Sequence, residues 1–520
     1  MKIKYITYVI ASFYLFSSCY KDKGNYNYSA ANVLEIGNIP DQIHVLGNVD
    51  TLKITPTIKS ALEGEILGDN KNYSFTYAID GSVKAGDLSY VAIDSTYPKD
   101  LNYFIKLAPK IYDVNFVVKD NRTGLETLKP FKLNVASAVS EGWMVLCNEG
   151  ASERVRLDMI AVVSPTRSVQ AFDLTASNGL PPITQGGRLI FLYDTQTRAK
   201  IGILTKSDGG YNLTNSTLSS GPSYNMLYEF GNKSANCMPQ NIQATSSGYH
   251  VAVDGDNDVY TLYMYVAGPI YQFPVNTLTG NRKAEFKVSP YIAADPKPSN
   301  GSNSVLAYDI TNKQFVNWSS GRNTMMATME NPSSNKLFDY KTGKNLVYMD
   351  ATLYGNSRAY AILEKDNKYS LYGISFIPAS PVGLFEQSYY AELNIPEIEK
   401  AHSFAFHSTL PYMFYAAGSK LYQYDIVSRQ NKVIKDFGDE NISMLKFNLF
   451  KYTVKGKTQE YYDQQYQLIV GLENKQLPAE SCGKVQFYEV PPLNADLTLI
   501  KEYKGFAKVK DVTYKEITIL

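Results

Sequence analysis

Three groups of residues carry types that could do chemistry. His402 and His407 stand five apart in "HSFAFHS", and His44 and His250 complete the four histidines of the chain. On a strand, positions five apart point to opposite faces, so this pair cannot share a metal ion and reads as structural. "DGDNDVY" sets Asp254, Asp256 and Asp258 at alternate positions, the acidic spacing of a calcium loop. Such a loop needs glycine at its sixth position and a bidentate glutamate at its twelfth, where Val259 and Tyr265 stand. The stretch therefore reads as a solvated hairpin turn with no metal. Cys147, Cys237 and Cys482 are widely separated and odd in number, so they read as buried small apolar residues rather than a disulfide framework. The motifs H-E-x-x-H, C-x-x-C, G-x-S-x-G, the Walker loop and G-x-G-x-x-G are all missing, so no catalytic residue or cofactor site stands out.

Two loop segments offer binding chemistry instead. "GPSYNMLYEFGN" (221–232) and "YMYVAGPIYQF" (263–273) mix tyrosine with glycine and proline near turns. Tyrosine faces stack on sugar rings and peptide planes, with the hydroxyl left for hydrogen bonding. Most of these rings read as half-buried sheet residues, and the ligand-binding residues stay unassigned.

Cys19 is a different case. Lys2 and Lys4 precede the apolar run "YITYVIASFYLF" (5–16), which is shorter than the roughly 20 residues a membrane-spanning helix requires. Ser17, Ser18 and Cys19 follow. This arrangement resembles the lipobox of bacterial lipoproteins, except that Phe16 stands where an aliphatic residue is usual. The resemblance implies cleavage before Cys19 and acylation of its thiol, with residues 1–18 as signal peptide. Several acyl chains anchor a protein durably where one does not. Residues 19–32, "CYKDKGNYNYSAAN", lack hydrophobic periodicity and read as a flexible stalk. Its charges Lys21, Asp22 and Lys23 resemble the surface-export signals of some Gram-negative lipoproteins.

The 520 residues allow at least two domains, and 42 tyrosines with 34 glycines favour strands and turns over helices. A net charge of +1 leaves no basic footprint for nucleic acid. Over 33–136 the alternation is regular: Tyr73, Phe75, Tyr77 and Ile79 share a face, as do Tyr112, Val114, Phe116 and Val118, and Phe131, Leu133 and Val135. Period-two patterning marks strands buried on one side, and a hundred residues of it imply a β-sandwich. "DTLKITPTI" adds a strand whose Pro56 puts it at an edge or bulge.

From 137 to 520 the pattern repeats. "RLIFLYDTQTRAKIGIL", "SVLAYDITNKQFV" and "KLYQYDIVSRQNKVI" each carry a strand ending in Tyr-Asp, then a polar turn and a second strand. The pairs Tyr193-Asp194, Tyr308-Asp309 and Tyr424-Asp425 are spaced 115 and 116 residues apart. Each aspartate reads as a turn-starter accepting backbone N–H groups. The whole is expected to be all-β: an immunoglobulin-like sandwich followed by a β-propeller of about seven or eight blades.

"YDVNFVVKDNRTG" with "FKLNV" resembles the final hairpin of PKD-like and immunoglobulin-like modules. There Tyr112 would pack at a strand corner and Thr123-Gly124 would close the turn. The stalk, the "GW-x-VL" junction (Gly142, Trp143, Val145, Leu146) and "GFAKVKDVTYKE" resemble the PKD-like family of surface lipoproteins associated with SusC/SusD-type outer-membrane importers. That resemblance implies a lipid-anchored, non-catalytic accessory subunit on the outer face of the outer membrane. Its partners would be the membrane lipid, the transporter complex and a peptide or glycan ligand. A propeller-based surface hydrolase and a structural adhesin stay open as alternatives.

Overall fold

The computed structural model describes residues 32–516, apart from 80–82, 85–86, 89–90, 95, 196–197, 232–237, 267, 298–302, 323, 378–383 and 451–456. The leader, Cys19, Cys237 and all of the stalk but Asn32 lie outside the described residues. The chain divides into two compact units, Met1–Val135 and Ala136–Leu520.

In the first unit, strands Gln42–Leu46, Glu126–Ala136, Lys110–Asp120, Tyr73–Ile79 and Val91–Ala92 form one antiparallel sheet in that spatial order. Smaller sheets, Leu34–Gly37 with Thr57–Ser60 and Gly64–Glu65, and Leu101–Phe104 with Thr51–Ile54, supply further core residues. Ile58, Leu52, Tyr77, Phe116 and Leu133 meet in one core, while Ser74, Asp113 and Lys132 on the alternate positions are exposed. The Tyr112 hydroxyl donates to the Ala108 carbonyl at 2.9 Å, pinning the strand corner. Gly124, at φ +76°, closes the hairpin by donating to the Asp120 carbonyl. Pro56 does more than mark an edge. It separates two strands, Thr51–Ile54 and Thr57–Ser60, which pair in different sheets, because proline offers no N–H to a ladder.

The second unit contains seven antiparallel sheets among the described residues. Sheet one holds Lys508–Lys515, Gly142–Glu149, Arg154–Ser164 and Arg167–Ala171. Sheets two to seven follow in chain order, and their first strands are Gly186–Thr195, Asn241–Ala244, Ala293–Ala294, Asn345–Thr352, Ser403–Phe406 and Asn441–Lys446. One five-residue α-helix, Gln459–Asp463, is described. Each first strand touches the next, and the circle closes through Lys508–Lys515. Seven apolar cores fill the seven gaps between neighbouring sheets.

Side-chain alternation explains this layout. Trp143, Val145 and Cys147 enter the core shared with sheet seven, while Met144 and Leu146 enter the core shared with sheet two. Tyr360 and Ile362 likewise face sheet six, and Ala359, Ala361 and Leu363 face sheet four. A sheet apolar on both faces needs a neighbour on each side, which a closed, propeller-like ring provides.

The Tyr-Asp hairpins are not equivalent units of this ring. They join the first and second strands in sheet two, the second and third in sheet four, and the third and fourth in sheet six. Their even spacing therefore marks a recurring turn chemistry, not a blade period. Asp309 Oδ1 accepts from the N–H groups of Thr311 and Asn312, and Asp425 Oδ1 from those of Val427 and Ser428, so both start turns. The side chains of Tyr193 and Asp194 lie outside the described residues.

Closure joins the two ends of the unit. Trp143 lies opposite Tyr514 and Val145 opposite Val512. The Trp143 ring sits 4.9 Å from both Phe487 and Tyr514. Trp143→Ala is expected to cost about 3–5 kcal/mol of stability in urea unfolding; a loss below about 1 kcal/mol would contradict this view of the seam. Lys515 is buried beside it, its Nζ donating to the Ser140 carbonyl at 2.5 Å. Burial pulls this ammonium down to about 8 from its ordinary 10.5. Between those values the unfolded chain still holds the proton that the folded chain has released. Stability therefore rises with pH across that window. Unfolding measured from pH 7.5 to 10.5 should show this increment in the native protein and lose it in Lys515→Met.

Candidate functional site

The first strands of the seven sheets carry a ring of interacting side chains. Lys446, from sheet seven, donates to Asp511 Oδ1 and Thr513 Oγ1 of the closing strand, each at 2.7 Å. Asp511 Oδ2 accepts the Leu189 N–H of sheet two at 2.8 Å. Next to Leu189, Arg188 Nη1 donates to Asn241 Oδ1 of sheet three at 2.8 Å. Asn241 Nδ2 donates to the Pro290 carbonyl, also at 2.8 Å, just ahead of sheet four. Tyr291 meets the Tyr348 ring of sheet five edge-on, with centroids 5.1 Å apart. Tyr348 stacks on Phe404 of sheet six at 5.5 Å, and Ser403 Oγ accepts the Leu445 N–H of sheet seven. The circuit is complete.

Its two halves differ in chemistry. Lys446, Asp511, Thr513, Arg188 and Asn241 make a charged, hydrogen-bonding arc, whereas Tyr291, Tyr348 and Phe404 make an aromatic one. Asp511 is 7% exposed and accepts from an ammonium and two backbone N–H groups, those of Leu189 and Val512. Tyr348 donates to the exposed Asp350 carboxylate at 3.1 Å. Burial above all, and then the Asp350 charge, push the Tyr348 hydroxyl well above its ordinary value, with the Arg188 guanidinium pulling it back. The hydroxyl is thus a permanent donor at physiological pH. Two acids, Asp350 and Asp511, belong to the ring, and the second is held in an ion pair.

The residues singled out by sequence fall elsewhere. His402 and His407 flank the strand Ser403–Phe406 rather than occupying it. His402 Nε2 bonds the Ile442 carbonyl at 2.7 Å. His407 Nδ1 accepts from the Thr409 and Leu410 N–H groups, and burial pulls its imidazole down to about 4, so it stays neutral. His44 Nδ1 pairs with Asn134, and His250 is fully buried. All four belong to the framework.

The acidic turn is not solvated as expected. Asp254 is fully buried, its Oδ1 accepting from the N–H groups of Asp256 and Asp258, and burial pushes its carboxyl up to about 6. Asp258 is engaged by Asn276 and Lys287, each at 2.9 Å. Among the described residues no group of three or more His, Cys, Asp or Glu is placed to hold a metal ion.

Cys147 and Cys482 are buried and unpaired, as read from sequence, but Cys147 has a polar neighbour. Its Sγ lies 3.9 Å from Asp158, which pairs with the buried Arg156 at 2.8 Å. Burial pushes the Cys147 thiol well above its ordinary value, which makes it unreactive. The loop aromatics divide. Phe230 and Tyr271 stack at 4.6 Å inside the core, while Tyr228 and Tyr265 are exposed.

Sequence reasoning missed the ring because its members come from six separate strands and the segment ahead of sheet four. The available signal was a charge set within an apolar strand: Arg188 before "LIFL", Lys446 in "SMLKF" and Asp511 in "KVKDVTY". If Asp511 organises the ring, Asp511→Ala leaves Lys446 and the Leu189 N–H without their acceptor and should cost about 3 kcal/mol. Lys446→Met leaves the carboxylate its two N–H donors and should cost about 1 kcal/mol. Equal losses in chemical denaturation would contradict this hierarchy.

Comparison with known proteins finds a family match that crosses the boundary between the two units. A model of the PKD-like family matches residues 19–178, which is 160 of the 520 residues. No curated protein matches the sequence. Among solved structures, the chain is similar to a quinonprotein alcohol dehydrogenase-like protein from Bacteroides thetaiotaomicron, at 12% identity and a TM-score of 0.43 over 94% of this chain and 100% of that one. It is also similar to a protein from Lactobacillus plantarum, at 8% identity and a TM-score of 0.43 over 72% and 99% of the two chains. A third likeness is to the Cps50 (Swd1) β-propeller domain of Myceliophteria thermophila, at 10% identity and a TM-score of 0.30 over 52% and 72%.

Proposed function

We propose that this chain is a lipid-anchored surface protein of a Gram-negative outer membrane whose repeat domain, a seven-bladed propeller, captures a ligand without chemically altering it. It serves as an accessory subunit of a SusC/SusD-type TonB-dependent importer, presenting a peptide or glycan or docking on the transporter. The observation that carries the binding half is the axial ring. Its acid Asp511 is paired with Lys446, its tyrosine Tyr348 is held protonated, and Tyr291 and Tyr348 are only half-buried. These groups hold and orient a ligand; they do not supply a nucleophile with an adjacent base.

The anchor rests on the leader and its cysteine. Lys2, Lys4, the apolar run 5–16 and Ser17-Ser18-Cys19 have the layout of a lipoprotein signal, and the match to the PKD-like family begins at residue 19. A thiol acylated there ties a strand-built body to the membrane without a spanning helix. No helix among the described residues is long and apolar enough to span a membrane.

Full-length protein expressed in a Gram-negative host should fractionate with the outer membrane and be accessible to protease added to whole cells. Its mature mass should begin at Cys19 and carry acyl chains. Cys19→Ala should move it to the soluble fraction. An unmodified thiol on a membrane-free protein would overturn the anchor, and an importer purified without this subunit from native membranes would overturn the accessory role.

A further inference from the structure

The two tyrosine-rich loop segments singled out in the sequence meet in the folded repeat domain. Sheets two and three each hold three strands among the described residues, where the other five sheets hold four. The edges left at Gly210–Leu213 and Val259–Tyr263 are covered by irregular chain instead. Asn225 bridges Tyr211, Pro274 bridges Tyr260, and the Val275 N–H donates to the Val259 carbonyl at 2.7 Å. The covering segments also dock on each other. Tyr271 donates its N–H to the Glu229 carbonyl and accepts from that of Gly231, each at 2.8 Å. Ile270 packs so near Gly231 that a Cβ there would lie 3.1 Å from it. Phe230 and Tyr271 turn into the core, while Tyr224, Tyr228, Tyr263, Tyr265, Val266 and Ile270 are exposed. Apolar side chains gathered outside a core mark an interaction surface.

Four aromatic rings lead out to this surface. Trp318, Tyr249, Tyr263 and Tyr265 have successive centroids 5.4, 4.5 and 5.4 Å apart. Trp318 is buried and Tyr249 half-buried, whereas Tyr263 is 37% and Tyr265 51% exposed. The planes of the outer two meet at 69°, which makes a corner. Tyr265 is seated over Gly248, at φ +78°, where a Cβ would strike its ring.

We propose that the Tyr263–Tyr265 corner binds a neutral glycan, with a sugar ring lying on the tyrosine faces. The inference rests on the ligand-capture reading above, adds a site outside the axial ring and names the ligand class. A tyrosine offers a flat apolar face beside a hydroxyl, which matches the C–H face and hydroxyl rim of a sugar. The stacking beneath Tyr263 and the glycine seat beneath Tyr265 order the rings before a ligand arrives, which lowers the entropic cost of binding. Charge argues for a neutral ligand: residues 209–228 and 259–281 include no Asp, Glu, Lys or Arg. At the borders, Glu229 holds Lys200 at 2.5 Å and Arg282 lies over the Phe273 ring. An acidic glycan or an anionic lipid surface would call for lysine or arginine among the exposed rings. An added peptide strand would need a free ladder, and Pro222, Pro269 and Pro274 in the covering segments offer no N–H.

The test uses detergent-solubilised full-length protein and calorimetric titration with maltohexaose, cellohexaose and mannohexaose. Hexagalacturonate, hexaalanine and phosphatidylglycerol vesicles serve as the charged, peptide and lipid probes. At least one neutral hexasaccharide should bind saturably, at least tenfold more tightly than hexagalacturonate or hexaalanine. Tyr265→Ala should weaken it at least tenfold with the melting temperature kept, and Tyr265→Phe less than threefold. Independently of any variant, the bound hexasaccharide should protect Tyr263 and Tyr265 from nitration by tetranitromethane, read by peptide mass. No binding of a neutral hexasaccharide would overturn the proposal, as would vesicle binding or self-association that is lost in Tyr265→Ala. Binding unchanged by Tyr265→Ala, with neither tyrosine protected, would reject this site while leaving ligand capture standing. Chain cleavage that disappears in Tyr265→Ala would support the site and overturn the non-catalytic reading.

Discussion

The pairing of Lys508–Lys515 with Gly142–Glu149 is the constraint on which the repeat domain depends. Each of its sheets is apolar on both faces, so none is stable with one face in water, and an open row would leave two such faces exposed. Bringing the last strand back to the first removes both ends at once. The seam is accordingly reinforced beyond its ladder. The Trp143–Tyr514–Phe487 cluster packs its core, and Arg156 reaches from sheet one to the carbonyls of Glu480 and Gly505. The contacts that close the circle lie hundreds of residues apart in the chain.

Closure also creates the axial chemistry. Inner strands cannot direct every side chain into the apolar gaps between sheets, since those that point inward meet the other strands. Polar residues are tolerated there only if they satisfy one another. The Lys446–Asp511–Leu189 and Arg188–Asn241–Pro290 links do so, binding sheet to sheet through directional bonds. The aromatic contacts of Tyr291, Tyr348 and Phe404 carry the same circuit on through sheets four to six.

The sandwich follows a simpler logic. Its strands are buried on one face, with charges such as Lys132 and Asp113 pairing across the exposed one. Its core draws on all three of its larger sheets and holds no cluster of chemical groups. In the sequence it stands between the segment 19–32 and the repeat domain.

One-sided burial explains which parts were legible in sequence. Strands such as Tyr73–Ile79 alternate visibly, so the sandwich could be read directly, while the Tyr112 corner and the Gly124 turn were implied by the resemblance to PKD-like and immunoglobulin-like modules. Strands buried on both faces, such as "WMVLC" or "YMFYAA", carry no alternation. The repeat was therefore inferred from Tyr-Asp turns, whose spacing has no relation to the sheets. Turn chemistry is local, so Asp309 and Asp425 behaved as expected. Asp254 shares that chemistry but is fully buried, which its local sequence does not reveal. By itself the sequence determined an all-strand chain in two parts, with turns set by their own aspartates and glycines. Only the tertiary structure decided the closed circle and the Lys446–Asp511–Leu189 link, because those join residues far apart in the chain around a ring that exists only once its last strand has paired with its first.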